Sequence, residues 1–195
     1  MGKAAVTRSL LLKTAAEVMG TKGYESASID EIAERAEVSK GIVYYHFKNK
    51  AAIAECILVE GLDGLVFCFR DIASRSTDST DALKKMVESF INALYDHKSF
   101  GRFLIAEYAR CDRPWGPAVQ VRIKELQRIV AKEILCLRAQ DRIRQSVNPE
   151  FAATAILGLT LSLSLDYVVN GSGYDKQTVL EHLIVFVQHA LAQEH

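Results

Sequence analysis

Proline and glycine are scarce in this chain, with three and eleven residues among 195. Because these residue types interrupt helices and form most tight turns, their scarcity favours long helices over many short strands. Net charge is absent too, since 24 Lys and Arg are set against 24 Asp and Glu. This balance excludes a generally cationic protein of the histone type. It does not exclude DNA as a partner, because binding depends on where the charges lie.

Long hydrophobic runs are also missing. The longest uncharged stretch, Phe151–Leu165, has 15 residues and includes four hydroxyl side chains, whereas a membrane span needs about 20 apolar residues. We therefore expect a helix buried in a core or in a subunit interface, and no membrane partner. The beginning of the chain mixes charged with apolar residues and does not have the form of a secretory signal, so the expected location is the cytoplasm.

Cysteine is present but shows no metal-binding or disulfide pattern. The four residues are widely spaced and form no C-x-x-C pair, so we expect free thiols, no metal site and no cofactor: Cys56, Cys68, Cys111 and Cys136. An alternative interpretation makes Cys68 or Cys111 the sensor of a thiol-based redox regulator. An enzyme built in a helical bundle is a second alternative. We do not expect one, because we find no nucleophile with its base and no Glu-x-x-His spacing.

Hydrophobic periodicity predicts an all-α fold of about nine helices, because apolar residues recur at three- and four-residue spacing along most of the chain. The first helix should close at residues 20–23, which include two glycines. Two short helices should follow, one starting at Ser28 with Glu31 as its capping-box partner and one starting at Ser39. Asn49 should cap a long fourth helix.

The polar run at residues 74–81 is the clearest linker. Beyond it, apolar spacing predicts helices at about 81–97, 99–111, 116–140, 149–169 and 176–193. We predict two domains, a helix-turn-helix domain over residues 1–50 and a larger helical domain over residues 51–195.

Two short helices joined by a tight turn behind a longer helix form a helix-turn-helix unit. No acidic residue occurs from Val38 to Ala54. Hydroxyl, imidazole and ammonium groups can donate to DNA phosphates, as can backbone amides at helix starts. Gly41 leaves room for close backbone approach, and Ile42 could touch a thymine methyl group. The candidate DNA-binding residues are Ser28, Ser39, Lys40, Gly41, Ile42, Tyr44, Tyr45, His46 and Lys50.

The aromatic run from Tyr44 to Phe47 also has a simpler interpretation. It could be an aromatic cluster in the core of a helical protein, with the lysines as its solvated rim. Val43 and Phe47, four residues apart, should face inward onto the first helix. The pattern alone leaves both interpretations open.

The order of residues resembles the N-terminal domain of tetracycline-repressor (TetR) family regulators. The resemblance spans roughly residues 8–50 and is carried by Leu11-Leu12, Ala15-Ala16, Gly23-Tyr24, Ser28, Ile32-Ala33, Val38-Ser39-Lys40-Gly41, Tyr44-Tyr45-His46-Phe47 and Lys50. It implies that the recognition helix carries Lys40, Gly41, Tyr44, Tyr45 and His46. It also implies that Lys50 and Ser28 contact the DNA backbone.

Two residues depart from the family pattern. Glu37 stands at a turn position that is commonly glycine, where a left-handed backbone would cost about 1–2 kcal/mol. Ile42 stands where a small polar residue is common, so base readout at this position should be apolar or absent.

The resemblance implies a ligand-binding and dimerisation domain after residue 50. A helical bundle that binds an apolar or aromatic effector needs a cavity lined by aromatic side chains and a few polar groups. The candidate ligand-binding residues are Phe100, Phe103, Glu107, Tyr108, Trp115 and Tyr167. Core packing is the alternative for the aromatic residues, and a solvent-facing or salt-bridged role is the alternative for Glu107.

The last two helices are expected to form the surface of a homodimer. Small residues in the first of them allow close helix approach, and the second carries an apolar stripe. Two-fold symmetry would place two recognition helices in successive major grooves of a palindromic site. The expected function is a dimeric transcriptional repressor that a small-molecule effector releases from double-stranded operator DNA. Whether the protein represses or activates transcription stays open.

Overall fold

The computed structural model describes residues 2–108, 116–171 and 173–192. Within these ranges the chain forms nine α-helices and no strand, as the periodicity predicts. The helices are α1 (Lys3–Ser26), α2 (Ile29–Arg35), α3 (Lys40–His46), α4 (Lys50–Arg75), α5 (Ser79–Asp96), α6 (Lys98–Tyr108), α7 (Pro117–Ala139), α8 (Pro149–Asn170) and α9 (Lys176–Leu191). The predicted end of the sixth helix lies outside the described residues.

Helix α1 is interrupted within the segment where the sequence predicts its end. The segment 20–23 was expected to close the helix, and the backbone leaves helical geometry at Gly23, whose φ is 79°, before a short helical piece continues to Ser26. Gly20 stays helical and serves another purpose, since α6 packs against α1 at this point. A Cβ atom added to Gly20 would lie 2.6 Å from the carbonyl oxygen of Ser99. The two glycines therefore act differently, one by admitting α6 and the other by breaking the helix.

The caps of α2 and α3 are only partly those expected. The Oγ atom of Ser28 accepts a hydrogen bond from the backbone amide of Glu31 at 3.1 Å. The other half of the capping box is not formed, because the Glu31 carboxylate binds Lys22 at 2.7 Å and Arg35 at 2.8 Å. These two cations hold the pKa of Glu31 below its usual range. Ser39 occupies the N-cap position of α3, but its hydroxyl makes no capping hydrogen bond.

The larger helical region is arranged around α5, which contacts α4, α6, α7, α8 and α9. Helix α4 begins at an Asn49 cap, where the side-chain oxygen accepts from the amide of Ala52 at 2.8 Å. Its predicted apolar row is buried in the core at Ile53, Ile57, Leu65 and Phe69. Because α4 packs on α1 as well as on α5 and α7, one continuous helix joins the N-terminal helices to the larger region.

None of the helices within residues 2–108, 116–171 and 173–192 combines the length with the apolar character that crossing a bilayer would require.

The turn between α2 and α3 has the left-handed backbone that the sequence indicates as a source of strain at Glu37. Glu37 has φ 54°, in the left-handed region that favours glycine. Replacing Glu37 by glycine should therefore raise the free energy of unfolding by about 0.5–1 kcal/mol, because the relieved strain exceeds the added entropy of the unfolded chain. Urea titration at one fixed protein concentration measures this change.

Glu34 provides the matched control. It is also an exposed glutamate, but it lies inside α2. Glu34→Gly should lower the free energy of unfolding by about 1 kcal/mol, because glycine is a weak helix former. A Glu37→Gly variant that is no more stable than the parent would show that the turn holds no strain.

Candidate DNA-binding and ligand-binding sites

Helix α3 separates the aromatic run into a buried side and an exposed side. Val43 and Phe47 are buried in the core, as predicted. Tyr44 and Tyr45 are 50% and 79% exposed, so the core interpretation does not describe them. His46 is half-buried and meets the ring of Tyr45 edge-on, with ring centroids 5.0 Å apart. The helix therefore presents a face of large side chains that its own core does not use.

Lys40 lies at the start of this exposed face and already has a partner. Its Nζ atom is 2.7 Å from Oδ1 of Asp30 on α2. The hydrogen bond to this carboxylate raises the pKa of the Lys40 ammonium group. Because both side chains are largely exposed, the pair contributes little to stability, and a DNA phosphate could take the place of Asp30.

Gly41 and Ile42 are also exposed on α3, whereas Ser28 and Ser39 stand at the starts of α2 and α3. The structure thus brings eight of the nine predicted DNA-binding residues to these two short helices. Their contact with DNA stays a prediction.

The ninth, Lys50, makes its contacts inside the chain. Its Nζ atom donates to the carbonyl oxygens of Tyr24, Glu25 and Ala27 at 2.8, 3.0 and 2.9 Å. The same atom lies 4.4 Å from the centroid of the Tyr24 ring. Helix carbonyls at a C-terminus lack intrahelical partners and carry partial negative charge, so an ammonium group there is stabilising. All three donors of Lys50 are occupied in this arrangement, which ties the end of α1 to the start of α4.

Two cations were not among the predicted site residues. Lys48 is exposed and forms no ion pair in the part of the chain that the structure describes. Lys48 lies within the segment from Val38 to Ala54 that contains no acidic residue, here called the acid-free window. The absence of acidic residues around it was the sequence signal that pointed to Lys48. Arg8 of α1 binds Glu60 at 2.5 Å, approaches the Cys56 thiol at 3.6 Å and lies 5.4 Å from the ring centroid of Phe47. No local pattern could have found Arg8, because its partners are distant in sequence.

The predicted ligand-binding residues do not surround one cavity. Phe103 and Glu107 are buried, and Tyr108 is largely exposed. The ring of Tyr167 stacks on that of Tyr95, with centroids 4.4 Å apart. Trp115 lies outside the described residues. Several of these side chains therefore have packing roles, as the alternative interpretation allowed.

Phe100, the remaining predicted ligand residue, lines a large open cleft between α1, α4, α5 and α6. The cleft has a volume of ≈ 1140 Å³. The Phe100 ring lies so close to Gly61 of α4 that a Cβ atom added there would be 2.1 Å from Cε2 of the ring. One turn further along α4, a Cβ atom on Gly64 would meet nothing within 4 Å. The Phe100 ring thus forms one edge of the cleft, and Gly64 leaves its floor uncovered.

Exposed apolar side chains are concentrated on α8 and α9: Phe151, Leu163, Leu165, Val169, Val185 and Phe186. Phe151 is 76% exposed and Phe186 is 59% exposed, and both line a groove of ≈ 370 Å³ between the two helices. Large exposed apolar side chains on neighbouring helices are typical of an interaction site. They lie on the two helices that the sequence predicts as the dimer surface.

The sequence matches a known family model in its N-terminal part. Residues 11–57 match the model of bacterial regulatory proteins, tetR family. Over 179 residues the chain is 28% identical to the HTH-type transcriptional activator FasR of Mycolicibacterium smegmatis, covering 92% of this chain and 80% of that protein. The matched family region contains all of α2 and α3.

Two solved structures share the fold over almost the whole chain. The fatty acid degradation regulator FadR from Bacillus halodurans superposes with a TM-score of 0.87 and 18% identity, covering 100% of this chain and 99% of that one. FadR from Bacillus subtilis, solved in complex with stearoyl-CoA, gives a TM-score of 0.84 and 16% identity, covering 94% and 98%. At such low identity, these structures establish the fold alone.

The contacts of Lys50 lead to a prediction that separates a structural role from a phosphate contact. Lys50→Ala should lower the free energy of unfolding by about 1–3 kcal/mol, because three carbonyls, two of them in half-buried contacts, lose a charged donor. The dependence of DNA affinity on salt should keep its slope, because Lys50 has no free donor for a phosphate. Urea titration and fluorescence anisotropy of a labelled DNA duplex at several salt concentrations measure the two quantities.

Lys48→Ala is the control for this experiment. This exposed lysine should change stability by less than about 0.5 kcal/mol and should reduce the magnitude of the salt slope by about one. If Lys50→Ala instead leaves stability unchanged and reduces the salt slope, Lys50 is a phosphate contact and the internal arrangement is not maintained on DNA.

Proposed function

We propose that the chain, whose residues 11–57 match the tetR-family model, is a dimeric transcriptional repressor that a small-molecule effector releases from a palindromic operator. The exposed face of α3 carries this proposal. Tyr44 and Tyr45 project from a helix that Val43 and Phe47 fix onto the core. A rigid helix with large exposed side chains is what a major groove accepts.

The residues around α3 divide by the kind of DNA contact they suit. Lys40, Ile42 and Tyr45 extend from the exposed face of the helix, where a base edge or a thymine methyl group would lie. Lys48 suits a phosphate, as do the backbone amides at Ser28 and Ser39. Phosphate contacts would set the position of the protein, and contacts from α3 would set its sequence preference.

The apolar face of α8 and α9 supports the dimer. Large exposed side chains on two adjacent helices would be buried if a second copy packed the same face against it, which is the self-complementary arrangement of a two-fold dimer. This symmetry would set the two α3 helices at a fixed separation. The separation would have to match one turn of DNA, about 34 Å, for both helices to bind.

A small-molecule effector is supported by the large cleft beside Phe100 and by the ligand in a similar fold. FadR from Bacillus subtilis was solved with stearoyl-CoA, which has a long apolar chain. An effector with an apolar part would bias the dimer between two separations of its recognition helices. FasR is named an activator, so the sign of regulation is decided by reporter expression from a promoter that carries the selected operator.

Selection from a random pool of DNA duplexes tests the DNA-binding proposal. The chain should enrich a palindromic sequence, because two symmetric copies of α3 read two half-sites. Tyr45→Ala should weaken binding to the enriched duplex by about tenfold or more, as the loss of one specific contact predicts. Fluorescence anisotropy measures the dissociation constant.

Tyr174→Ala is the matched control, since Tyr174 is also largely exposed but lies between α8 and α9. It should bind the enriched duplex as the parent does. The absence of any enriched sequence would contradict the proposed function as a whole.

The dimer makes a separate prediction. Phe186→Asp should turn the dimer into a monomer at micromolar concentration, because it places an unpaired carboxylate in the apolar interface. Sedimentation equilibrium measures the mass. Phe67→Asp is the control, since Phe67 is 74% exposed on α4 and lies away from α8 and α9. A Phe186→Asp variant that stays dimeric would show that another surface forms the dimer.

A further inference from the structure

We propose that the cleft between α1, α4, α5 and α6 is the effector site, and that it takes an amphipathic organic molecule without net charge. This inference rests on the proposed function and deepens it, since it places the effector in direct contact with a helix of the DNA-binding unit. No ligand-binding residue was expected on α1 from the sequence.

The walls of the cleft come from both sides of the predicted domain boundary. Leu12 and Ala16 of α1 form one wall, and Ile57 and Leu65 of α4 form another. The end of α5 and the start of α6, including Phe100, complete it. Its volume of ≈ 1140 Å³ suits an organic molecule of drug size or somewhat larger. An occupant would touch α1 and α4 at the same time.

Gly61 and Gly64 of α4 both line the cleft but differ in their surroundings. The Phe100 ring leaves no room for a Cβ atom at Gly61, whereas Gly64 is exposed and has no neighbour within 4 Å. An alanine would fit at residue 64 and favour the helix. A larger side chain at residue 64 would extend into the open cleft, so this position allows the cleft to be filled by substitution.

The charges around the cleft largely cancel one another. Glu60 binds Arg8 at 2.5 Å, and Asp96 binds Lys176 at 3.3 Å. Lys98 lies 4.7 Å from the centroid of a tyrosine ring on α8. Glu60 and Asp96 are thus paired, whereas Lys98 has the tyrosine ring and no carboxylate among the described residues as its neighbour.

Lys13 and Glu17 also line the cleft and form no ion pair in the described chain. They lie one turn apart on α1 and carry opposite signs. The cleft therefore holds no cluster of cations that could bind the phosphates of a nucleotide. This argues against a coenzyme A thioester as its occupant and favours a molecule without net charge.

Uncharged polar groups complete the lining and can orient such a molecule. Asn92 of α5 is half-buried, and its amide forms no hydrogen bond with any described residue. Asparagine is also a poor residue for the middle of a helix. Ser99 at the start of α6 adds a hydroxyl group. A ligand with one hydrogen-bonding group and an apolar body fits this combination.

An occupant of the cleft would act on the recognition helix through α1. Helices α1 and α4 run antiparallel, held by Arg8 and Glu60 at one end and by Lys50 and Tyr24 at the other. The guanidinium group of Arg8 also lies over Phe47, the C-cap residue of α3. A molecule between α1 and α4 would change their spacing and shift α3 with them, so operator binding and cleft binding would oppose each other.

Cys68 allows the cleft to be filled chemically, since it is half-buried on α4 and lines the cleft. The other three cysteines are replaced by serine, and the protein is treated with benzyl methanethiosulfonate. The Cys68 thiolate attacks the thiosulfonate sulfur, a mixed disulfide forms, and methanesulfinate leaves. Intact mass gives the labelled fraction. We expect the benzyl-labelled protein to bind the duplex enriched by selection at least tenfold more weakly. Protein labelled in the same way with methyl methanethiosulfonate, which adds a much smaller group, should lose less than threefold in affinity.

The matched control moves the thiol out of the cleft along the same helix. Cys68→Ser combined with Ser74→Cys places it at an exposed position near the end of α4. Benzyl labelling there should leave the dissociation constant unchanged. If the label on Cys68 has no more effect than the label at residue 74, the cleft is not coupled to DNA binding and the inference is wrong.

Two further measurements test the cleft by substitution and by competition with a ligand. Gly64→Leu, which fills the cleft, should weaken operator binding at least tenfold without lowering the melting temperature, whereas Gly64→Ala should keep operator binding. Stearoyl-CoA at saturating concentration should not slow the labelling of Cys68. Protection by stearoyl-CoA would overturn the assigned ligand class. A failure of the selection itself to enrich DNA would contradict the proposed function instead, so the two failures are distinguishable.

Discussion

One ammonium group, that of Lys50, satisfies three carbonyls at the end of α1 while its own residue begins α4. This contact fixes where the long fourth helix leaves the DNA-binding unit. Arg8 makes the corresponding connection further along, by binding Glu60 of α4 and lying over Phe47 at the end of α3. The position of α3 therefore depends on α4 through two charged side chains, neither of which needs to touch DNA.

The same two connections explain why the cleft between α1 and α4 is suited to regulation. Because both ends of α1 are joined to α4, the first through Arg8 and Glu60 and the second through Lys50, the space between the helices cannot widen without moving one of these contacts. A ligand that binds only the wider arrangement shifts the population towards it by its own difference in affinity. The exposed ion pair of Arg8 with Glu60 costs less to exchange than the half-buried contacts of Lys50. If α1 and α4 moved apart, they would then pivot at the contacts of Lys50, and the pair of Arg8 with Glu60 would separate.

Local patterns predicted the helices and the division of α3 well, because both depend on residues that are close in sequence. The spacing of Val43 and Phe47 was sufficient to place them in the core. Lys50 shows the limit of this reasoning, since its partners are the carbonyls of residues 24–27 and no periodicity reports them. The ligand-binding residues show another limit: aromatic composition cannot distinguish a packed ring, such as Tyr167 on Tyr95, from a ring that lines a cleft. Gly64 was overlooked because a missing side chain leaves no hydrophobic signal.

The chain has no net charge, and most of the positive charge near α3 is already bound within the protein. Within the acid-free window, Lys50 is occupied by α1, and Lys40 is paired with Asp30 across the turn. Lys48 is left as the lysine of this window that needs no exchange of partners to reach a phosphate. With so few free cations, one copy would bind DNA weakly and without much selectivity. In the proposed dimer, useful affinity would require two copies of α3 at the correct separation, and a small change in the angle of α4 would then be enough to switch binding.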